Sequence, residues 1–367
     1  MTRLRVAATF VIAATAALTA QVPASLTLLE LKAATGNLIS IRINAPQVTD
    51  LRAFADTMSA ADAKSLTKDA AGVWTGTLGP LAPDVYSVSI VADTVVRPIG
   101  YVHLAGASPE AWDPRKVPHG TIQQHWYDSR SLGVLRSVYV YTPPGYEKGT
   151  TSYPALYLLH GSGGVEGSWI LDGLANVILD NLLADGRVKP MIVVMPFGHP
   201  EPSFRIGVTP DFSHRDVTEF SRDLLEDVMP IVERTYRVAR QADRRGIAGL
   251  SMGGNQARQI GLSRLDLFHY IGTFSGTVGV RSGVVTTEAI EATFSDILAD
   301  SSATNATIRL LWQAVGSDET NLLAQHKLLT GVLDRYQIKH TFVTIPGGHT
   351  WHVWRRNLRD LAPLLFK

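Results

Sequence analysis

Apolar and polar positions follow two different patterns along this chain, and the change comes near residue 105. Between residues 25 and 105, the segments NLISIRINAP, GVWTGTLGPL and DVYSVSIVAD alternate apolar and polar side chains, and turns rich in Pro, Gly and Asp separate them. Alternation with a period of two is typical of strands that have one buried face. This region therefore predicts a small all-β sandwich.

From about residue 121 to the end, short apolar runs alternate with longer segments of helical period. The apolar runs are SVYVYTP, ALYLLHG, MIVVMPF, RGIAGL, YIGTFSG, IRLLWQAV and HTFVTIP. Helical periodicity covers residues 171–183, 217–236, 255–262 and 323–335. Strands that are apolar on both faces and alternate with helices are typical of a doubly wound, mostly parallel sheet. We therefore predict an α/β domain over residues 121–367.

Two further segments complete the predicted organisation. Residues 106–120 are rich in proline, which predicts a linker. Residues 1–24 begin with Arg3 and Arg5, continue with an apolar run from Val6 to Leu18, and end in small residues. This order predicts a secretory signal peptide, because the apolar run is short for a membrane span; an uncleaved anchor is the alternative. We expect a secreted or periplasmic protein that has no membrane attachment once the signal is removed.

Composition narrows the classes of function. The 367 residues carry a formal net charge of +1 without a block of lysine or arginine, so nucleic acid is not an expected partner. The chain has no cysteine, which excludes disulfides, thiolate metal ligands and cysteine nucleophiles. The sequence contains neither an H-E-x-x-H zinc motif nor a G-x-G-x-x-G motif after a strand. We therefore expect chemistry that requires no metal and no cofactor.

One serine lies between glycines directly after an apolar run, in the segment RGIAGLSMGG. The residues Gly249-Leu250-Ser251-Met252-Gly253 match the G-x-S-x-G pattern of a nucleophile elbow. In that turn the chain passes sharply from strand to helix, and glycines are needed where side chains would otherwise collide. The pattern predicts that Ser251 is a nucleophile.

A serine hydroxyl needs a general base, which is usually a histidine that a carboxylate orients. Among the histidines after Ser251, His349 lies in the loop PGGHTWHVW, beyond the last strand, where open sheets hold their active sites. His352 is the rival candidate in the same loop. His269 precedes a buried strand and His326 falls within a helix, so both positions favour structural roles. We predict that His349 is the base.

The acid and the oxyanion donors are expected at other strand ends. Asp318 and Glu319 stand side by side after the strand IRLLWQAV, and either carboxylate is able to orient an imidazole. One oxyanion donor is expected to be the backbone N–H of Met252, at the N-terminus of a helix. The second is expected in the turn HGSGG, from the N–H of Ser162 or of Gly163.

In combination, these segments resemble the esterase-D-type α/β-hydrolases, which include the feruloyl and acetylxylan esterases of carbohydrate esterase family 1 and the enterochelin esterases. The resemblance rests on VYVYTPPGY, YPALYLLHGSGG, VILDNLLADGRVKPMIVVMPFGH, RRGIAGLSMGG and IKHTFVTIPGGHTWHVWRRNLRDLAPLLF. It implies an α/β-hydrolase fold with Ser251 as nucleophile, His349 as base and the turn after HG as oxyanion site. Residues 25–105 resemble the early-set immunoglobulin-like modules that precede catalytic domains in many carbohydrate-active enzymes.

The third triad member departs from the pattern that the resemblance implies. The family usually has aspartate three residues after the glycine that ends this strand, whereas here Gly316 leads to Glu319. Spacing favours Glu319 and residue type favours Asp318. We favour Glu319, because a glutamate serves the same histidine in other α/β-hydrolases.

Together with the predicted signal peptide, the resemblance implies a secreted serine carboxylic ester hydrolase that removes feruloyl or acetyl groups from plant polysaccharide or its oligosaccharides. Trp169 is a candidate for stacking on an aromatic acyl group. A second candidate activity is the hydrolysis of a trilactone siderophore, for which Arg205 and Arg215 are scattered candidate cations. A third is the transfer of an acyl group to a sugar.

A glycan-binding protein with a degenerate hydrolase domain is the non-enzymatic alternative. Trp74 and Tyr86 would then be sugar platforms in the β-rich region, although core packing is the simpler role for both rings. The sequence does not select between feruloyl and acetyl groups, and it does not indicate an oligomeric state.

Overall fold

The computed structural model describes residues 25–200, 217–280 and 283–367. The signal peptide predicted at residues 1–24 lies outside the described residues, as do Arg205 and Arg215. The described chain divides into two compact units. The smaller holds the residues up to Leu81 together with Ser87–Val102, and the larger holds Ala82–Tyr86 and His103–Lys367. Across the described ranges, no helix combines the length and the apolar character that a membrane span requires.

The smaller unit is built from two four-stranded sheets, with strand orders β1-β2-β6-β5 and β4-β3-β7-β8. The strands are β1 (Thr27–Ala34), β2 (Leu38–Asn44), β3 (Leu51–Ala55), β4 (Lys64–Ser65), β5 (Thr67–Lys68), β6 (Val73–Leu78), β7 (Asp84–Ala92) and β8 (Val95–Leu104). Residues 84–86 of β7 and 103–104 of β8 belong to the larger unit. In β2 the alternate residues Ile39, Ile41 and Ile43 are fully buried, whereas Arg42 is exposed. The two sheets fit the β-sandwich that the alternation predicts.

The two aromatic residues that we considered as sugar platforms are buried. Trp74 is 6% exposed, and its indole N–H donates to the Ala45 carbonyl oxygen at 3.0 Å. Tyr86 is 2% exposed, and its hydroxyl donates to the Ala82 carbonyl oxygen at 2.7 Å. Both rings therefore have the core-packing role, since a sugar platform needs an open ring face.

The larger unit is built on one eight-stranded sheet with the order β16-β15-β14-β13-β11-β12-β10-β9. Its strands are β9 (Thr121–Ser129), β10 (Val134–Thr142), β11 (Ala155–Leu159), β12 (Ile192–Pro196), β13 (Arg245–Leu250), β14 (Tyr270–Phe274), β15 (Leu310–Gly316) and β16 (Thr341–Ile345). Strands β11 to β16 run parallel, and β10 pairs antiparallel with both β9 and β12. This is the mostly parallel sheet that the sequence pattern predicts, with one edge strand, β9, that its polar sequence TIQQHWYDS did not reveal.

Helices cover both faces of this sheet. They are α1 (Ser168–Leu171), α2 (Ala175–Ala184), α3 (Val217–Arg222), α4 (Met229–Thr235), α5 (Met252–Ser263), α6 (Thr287–Thr293), α7 (Ser295–Ala299), α8 (Ser301–Thr307), α9 (Thr320–Arg335) and α10 (Trp351–Leu361), and a π-helical segment, Asp223–Val228, joins α3 to α4. In β11, Tyr157 and Leu159 pack into the core that includes residues of α5 and α9, whereas Leu156 and Leu158 pack into the core with α2 and α10. The strand is therefore apolar on both faces.

Strand neighbours bring distant segments together at one edge of the sheet. Leu159 of β11 pairs with Gly249 of β13, so the turns after these two strands are adjacent. On the other side of β13, β14 and β15 follow, and Gly316 of β15 pairs with Ile345 of β16. Because parallel strands end at the same edge, the HGSGG turn, the serine elbow, the acidic turn and the histidine loop converge there.

Candidate active site

The serine turn is strained and crowded. Ser251 joins β13 to α5 with φ 52° and ψ −116°, a backbone conformation that a residue with a side chain rarely adopts. A Cβ on Gly249 would lie 2.5 Å from the carbonyl oxygen of Gly253, and a Cβ on Gly253 would lie 2.4 Å from that of His160. Only glycine fits at these two positions, which is the physical reason for the G-x-S-x-G spacing.

The histidine loop after β16 places His349 against this serine. The Nε2 atom of His349 lies 2.9 Å from the Ser251 hydroxyl oxygen. The Nδ1 atom of the same ring lies 2.5 Å from Oε1 of Glu319. The imidazole therefore lies between a hydroxyl and a carboxylate, as a general base in a serine triad must. Trp354 packs edge-on against the imidazole, with the ring centroids 4.9 Å apart.

The carboxylate of Glu319 is buried and fully engaged. Its Oε2 accepts hydrogen bonds from the Gly316 N–H and from the Ser275 hydroxyl, both at 2.6 Å. A Cβ on Gly316 would lie 2.7 Å from Oε2, so the glycine leaves the space that the carboxylate occupies. Asp318 is exposed, and its carboxylate accepts a hydrogen bond from Ser317 at 2.8 Å. Of the two candidate acids, the structure brings Glu319 to His349 and not Asp318.

Ser275 is a site residue that the sequence reasoning missed. It follows β14, is fully buried, and has a positive φ of 49°. Its backbone N–H donates to the Ala314 carbonyl oxygen at 2.7 Å, which anchors the turn to β15. The signal in the sequence was a serine and a glycine at the end of the strand YIGTFSG, next to the strand that carries the elbow.

The oxyanion candidates border the serine. Met252 is the first residue of α5, so its N–H has no preceding helical turn to bond to. Ser162 and Gly163 lie in the turn that the Gly164 N–H closes by donating to the Gly161 carbonyl oxygen at 3.0 Å. Both residues are exposed and line the same cleft as the elbow serine.

The side chain of His160 supports this turn through hydrogen bonds, which is a structural role. The Gly198 N–H donates to its Nε2 at 2.8 Å, so the ring proton lies on Nδ1, which donates to the Gly161 carbonyl oxygen at 2.8 Å. Gln256 of α5 donates to the Gly198 carbonyl oxygen at 2.8 Å. These contacts tie the HGSGG turn to the helix that follows the elbow.

The triad opens into a cleft of about 320 Å³. Its described lining residues are Gly161, Ser162, Gly163, Gly164, Ser168, Asp172, Leu250, Ser251, His349, Trp351 and Trp354. Trp169 is not among them, and the prediction that it contacts substrate is wrong. Its ring is fully buried and packs edge-on against Phe274 and Trp351, and its indole N–H donates to the Leu159 carbonyl oxygen. The sequence reasoning did not identify Trp351, which does line the cleft.

The other histidines have different surroundings. Nδ1 of His352 lies 2.7 Å from the carboxylate of Asp84. His326 is buried in α9, and burial together with the charge of Arg258 lowers its pKa to about 3, so its ring is neutral. Burial also lowers the pKa of His269, with a further contribution from Arg309.

Comparison with known proteins gives a family and several relatives. The model of the Esterase family matches residues 129–365 of this chain. A relative described as endo-1,4-beta-xylanase/feruloyl esterase, from Xylanibacter ruminicola, is 31% identical over 322 residues. The match covers 82% of this chain and 41% of the relative, so the chain spans less than half the length of that protein.

Solved structures share the fold. A carbohydrate esterase family 1 ferulic acid esterase from Anaeromyces mucronatus, determined in complex with ferulic acid, is 25% identical with a TM-score of 0.58. That match covers 71% of this chain and 96% of the other. The enterochelin esterase from Shigella flexneri is 16% identical with a TM-score of 0.68, and the match covers 94% and 95% of the two chains. At that identity the likeness extends to the fold alone.

Proposed function

The chain belongs to the Esterase family, and from this premise we propose that it is a serine carboxylic ester hydrolase. One observation carries the proposal: the imidazole of His349 lies 2.9 Å from the Ser251 hydroxyl and 2.5 Å from the Glu319 carboxylate. In this arrangement the imidazole takes the hydroxyl proton, and the buried carboxylate stabilises the imidazolium that forms.

The reaction proceeds through two acyl transfers. Ser251 Oγ attacks the ester carbonyl carbon while its proton moves to Nε2 of His349, and the carbonyl oxygen becomes an oxyanion. The N–H groups of Met252 and of Ser162 or Gly163 donate to that oxyanion. The C–O bond to the alcohol then breaks, and His349 returns the proton to the leaving oxygen. Water repeats the sequence on the acyl-enzyme and releases the acid.

We propose feruloyl or acetyl esters of plant polysaccharide as the substrate class. The Xylanibacter relative carries both xylanase and feruloyl esterase in its description, which supports an ester on xylan. Trp351 and Trp354 give the cleft two indole rings, which suit an aromatic acyl group or a sugar face. Among the described lining residues there is an aspartate, Asp172, and no lysine or arginine, which disfavours a triply anionic siderophore.

We also propose that the protein is exported, since residues 1–24 have the order of a signal peptide. Residues 25–105 form an immunoglobulin-like module in this proposal, and 106–120 link it to the hydrolase domain over 121–367. The two β-sheets of the smaller unit support the first assignment.

A single substitution tests the central claim. Ser251→Ala should reduce turnover of p-nitrophenyl acetate by roughly 10⁴-fold or more, because the nucleophile is lost. Ser263→Ala, at the other end of the same helix, is the matched control and should keep wild-type activity. Activity in Ser251→Ala equal to that of the control would reject the assignment. Comparing kcat/KM for acetyl, butyryl and feruloyl esters in the same assay then identifies the acyl group.

A further inference from the structure

A buried carboxylate outside the triad, that of Asp84, contacts three basic side chains of α10. Asp84 is 1% exposed, although β7 begins with it, and it belongs to the larger unit. Its Oδ1 accepts a hydrogen bond from Arg355 Nη2 at 2.9 Å. Its Oδ2 lies 2.6 Å from Arg356 Nη1 and 2.7 Å from His352 Nδ1. All three partners lie on one helix, so this single carboxylate contacts the N-terminal half of α10 at three points.

That half of α10 carries one wall of the cleft. The helix begins at Trp351, two residues after His349, and its Trp354 packs edge-on against the imidazole. Both tryptophans line the cleft. A shift or rotation of this part of α10 therefore moves the base and the aromatic wall together.

The same cluster reaches a second segment that lines the cleft. Arg355 is 1% exposed, and while Nη2 bonds to Asp84, its Nη1 donates to the Asp172 carbonyl oxygen at 2.9 Å. Asp172 lines the cleft directly after α1, on the side of the Gly-rich turn. One guanidinium thus joins Asp84 and α10 to the segment of Asp172, because its planar fork bonds to both partners at once.

We propose that Asp84 is a positioning residue for the esterase reaction, acting through Arg355 and α10 to hold His349 at its working distance from the nucleophile. Residues 82–86 are then a functional part of the catalytic unit, although the sequence pattern puts them in the preceding β-rich region. A change of about 1 Å in such a distance can cost on the order of 100-fold in rate. The inference rests on the proposed function, because positioning has meaning only if the triad acts.

The physical basis is the imbalance of charge that would follow the loss of Asp84. The guanidinium of Arg355 is buried, and the loss of Asp84 would leave it only neutral acceptors such as the Asp172 and Val85 carbonyl oxygens. A buried charge that loses its ion-pair partner is strongly unfavourable. The helix would relieve this by turning its basic side chains toward water, which carries His349 with it. A role confined to stability would lower the melting temperature without changing the rate of each folded molecule.

The test separates these roles by counting competent sites in the full-length protein. Diethyl p-nitrophenyl phosphate is used to titrate three variants: Asp84→Asn, Asp84→Glu and the matched control Asp266→Asn. The control removes the exposed partner of Arg264. The burst of p-nitrophenol gives the concentration of reactive serine, and kcat and KM for p-nitrophenyl acetate are then expressed per titrated site.

We expect kcat per titrated site to fall ~10- to 100-fold in Asp84→Asn, with KM changed less than ~3-fold, because geometry and not binding is disturbed. Asp84→Glu should recover part of kcat, and Asp266→Asn should match wild type. A value of kcat per site within twofold of wild type in Asp84→Asn, even with a lower melting temperature, overturns the proposal.

Arg355→Lys keeps the test decisive if Asp84→Asn does not fold. A lysine retains the charge but lacks the planar fork that bonds to Asp84 and Asp172 at once, so kcat per site should fall ~5- to 20-fold. An unchanged value would overturn the proposal equally. A wild-type protein that hydrolyses no ester would instead reject the proposed function, so the two failures are distinguishable.

Discussion

Two buried carboxylates each meet a histidine of the C-terminal segment, and the two regions differ in what surrounds the pair. Glu319 contacts His349, whose other nitrogen lies 2.9 Å from the Ser251 hydroxyl. Asp84 contacts His352, three residues further on, but shares its oxygens with two arginines. A carboxylate beside an imidazole is thus not by itself the mark of a triad.

The donors to each carboxylate explain the difference. The donors that hold Oε2 of Glu319 are neutral, an N–H and a hydroxyl, so this carboxylate can stabilise the positive charge that would develop on His349 in the proposed reaction. Asp84 already faces permanent guanidinium charges. Glu319 is therefore suited to a transient positive charge on His349, and Asp84 to the permanent charges of the two arginines.

The largest expected difference is between the two histidines. His349→Ala should lower kcat/KM for p-nitrophenyl acetate by roughly 10⁴-fold or more, because His349 is the base that the described part of the chain places at the Ser251 hydroxyl. His352→Ala removes one of three partners of Asp84 and should cost at most ~10-fold. Steady-state kinetics of both variants at pH 8 measures this. Equal losses would show that the two pairs do not differ in role.

A smaller difference is expected between the neighbouring acids. Glu319→Gln keeps an oxygen for the Gly316 N–H but loses the negative charge, so kcat should fall ~10²- to 10⁴-fold. Asp318→Asn changes an exposed carboxylate and should stay within ~2-fold. Measuring kcat of the two variants tests this difference. If Asp318→Asn showed the larger loss of kcat, Asp318 and not Glu319 would be the acid.

The smallest effect concerns stability in acid. Burial alone would raise the pKa of Asp84, but the contact with His352 and the charges of Arg355 and Arg356 outweigh burial and hold the pKa at about 2, below the ordinary 3.8. The lowered pKa stabilises the fold above about pH 4, and this contribution is lost as the pH falls toward 2. The difference corresponds to about 2 kcal/mol.

The matched comparison is Asp84→Asn, which lacks this titration. The difference in the free energy of unfolding between the wild type and Asp84→Asn should change by about 2 kcal/mol between pH 5 and pH 2, because the wild type loses that much stability relative to the variant as the pH falls. Urea titrations followed by tryptophan fluorescence report mainly on the larger unit, since six of the seven tryptophans belong to it. A difference that stays constant over this range, while Asp318→Asn follows the wild type, would contradict the assignment.

Local sequence predicted the parts of the site that depend on local geometry. The elbow around Ser251 can be recognised in the sequence because crowding within five residues requires glycines. His349 can be recognised because its loop follows the last strand. The choice between Asp318 and Glu319 was not settled by residue type. It depends on Ser275, which comes from a different strand, and on the space that Gly316 leaves.

The parts that sequence could not supply depend on distant partners. Asp84 reads as the first position of an alternating strand, and nothing near it indicates arginines about 270 residues away. Trp169 lies close to a Gly-rich turn, which suggested exposure, but Phe274 and Trp351 cover it. Burial is a property of the assembled core, so local pattern does not determine it.

The glycines around the elbow set limits on how this protein can diverge. A methyl group on Gly161 would lie 2.6 Å from the Leu250 side chain and 3.2 Å from the Ser251 Cβ, so the two turns are as tightly constrained against each other as each is internally. Inherited variation, or a mutant library that seeks a new acyl preference, has little room there. Diversity should accumulate instead at the rim, at exposed positions such as Ser162, where a new side chain enters open space.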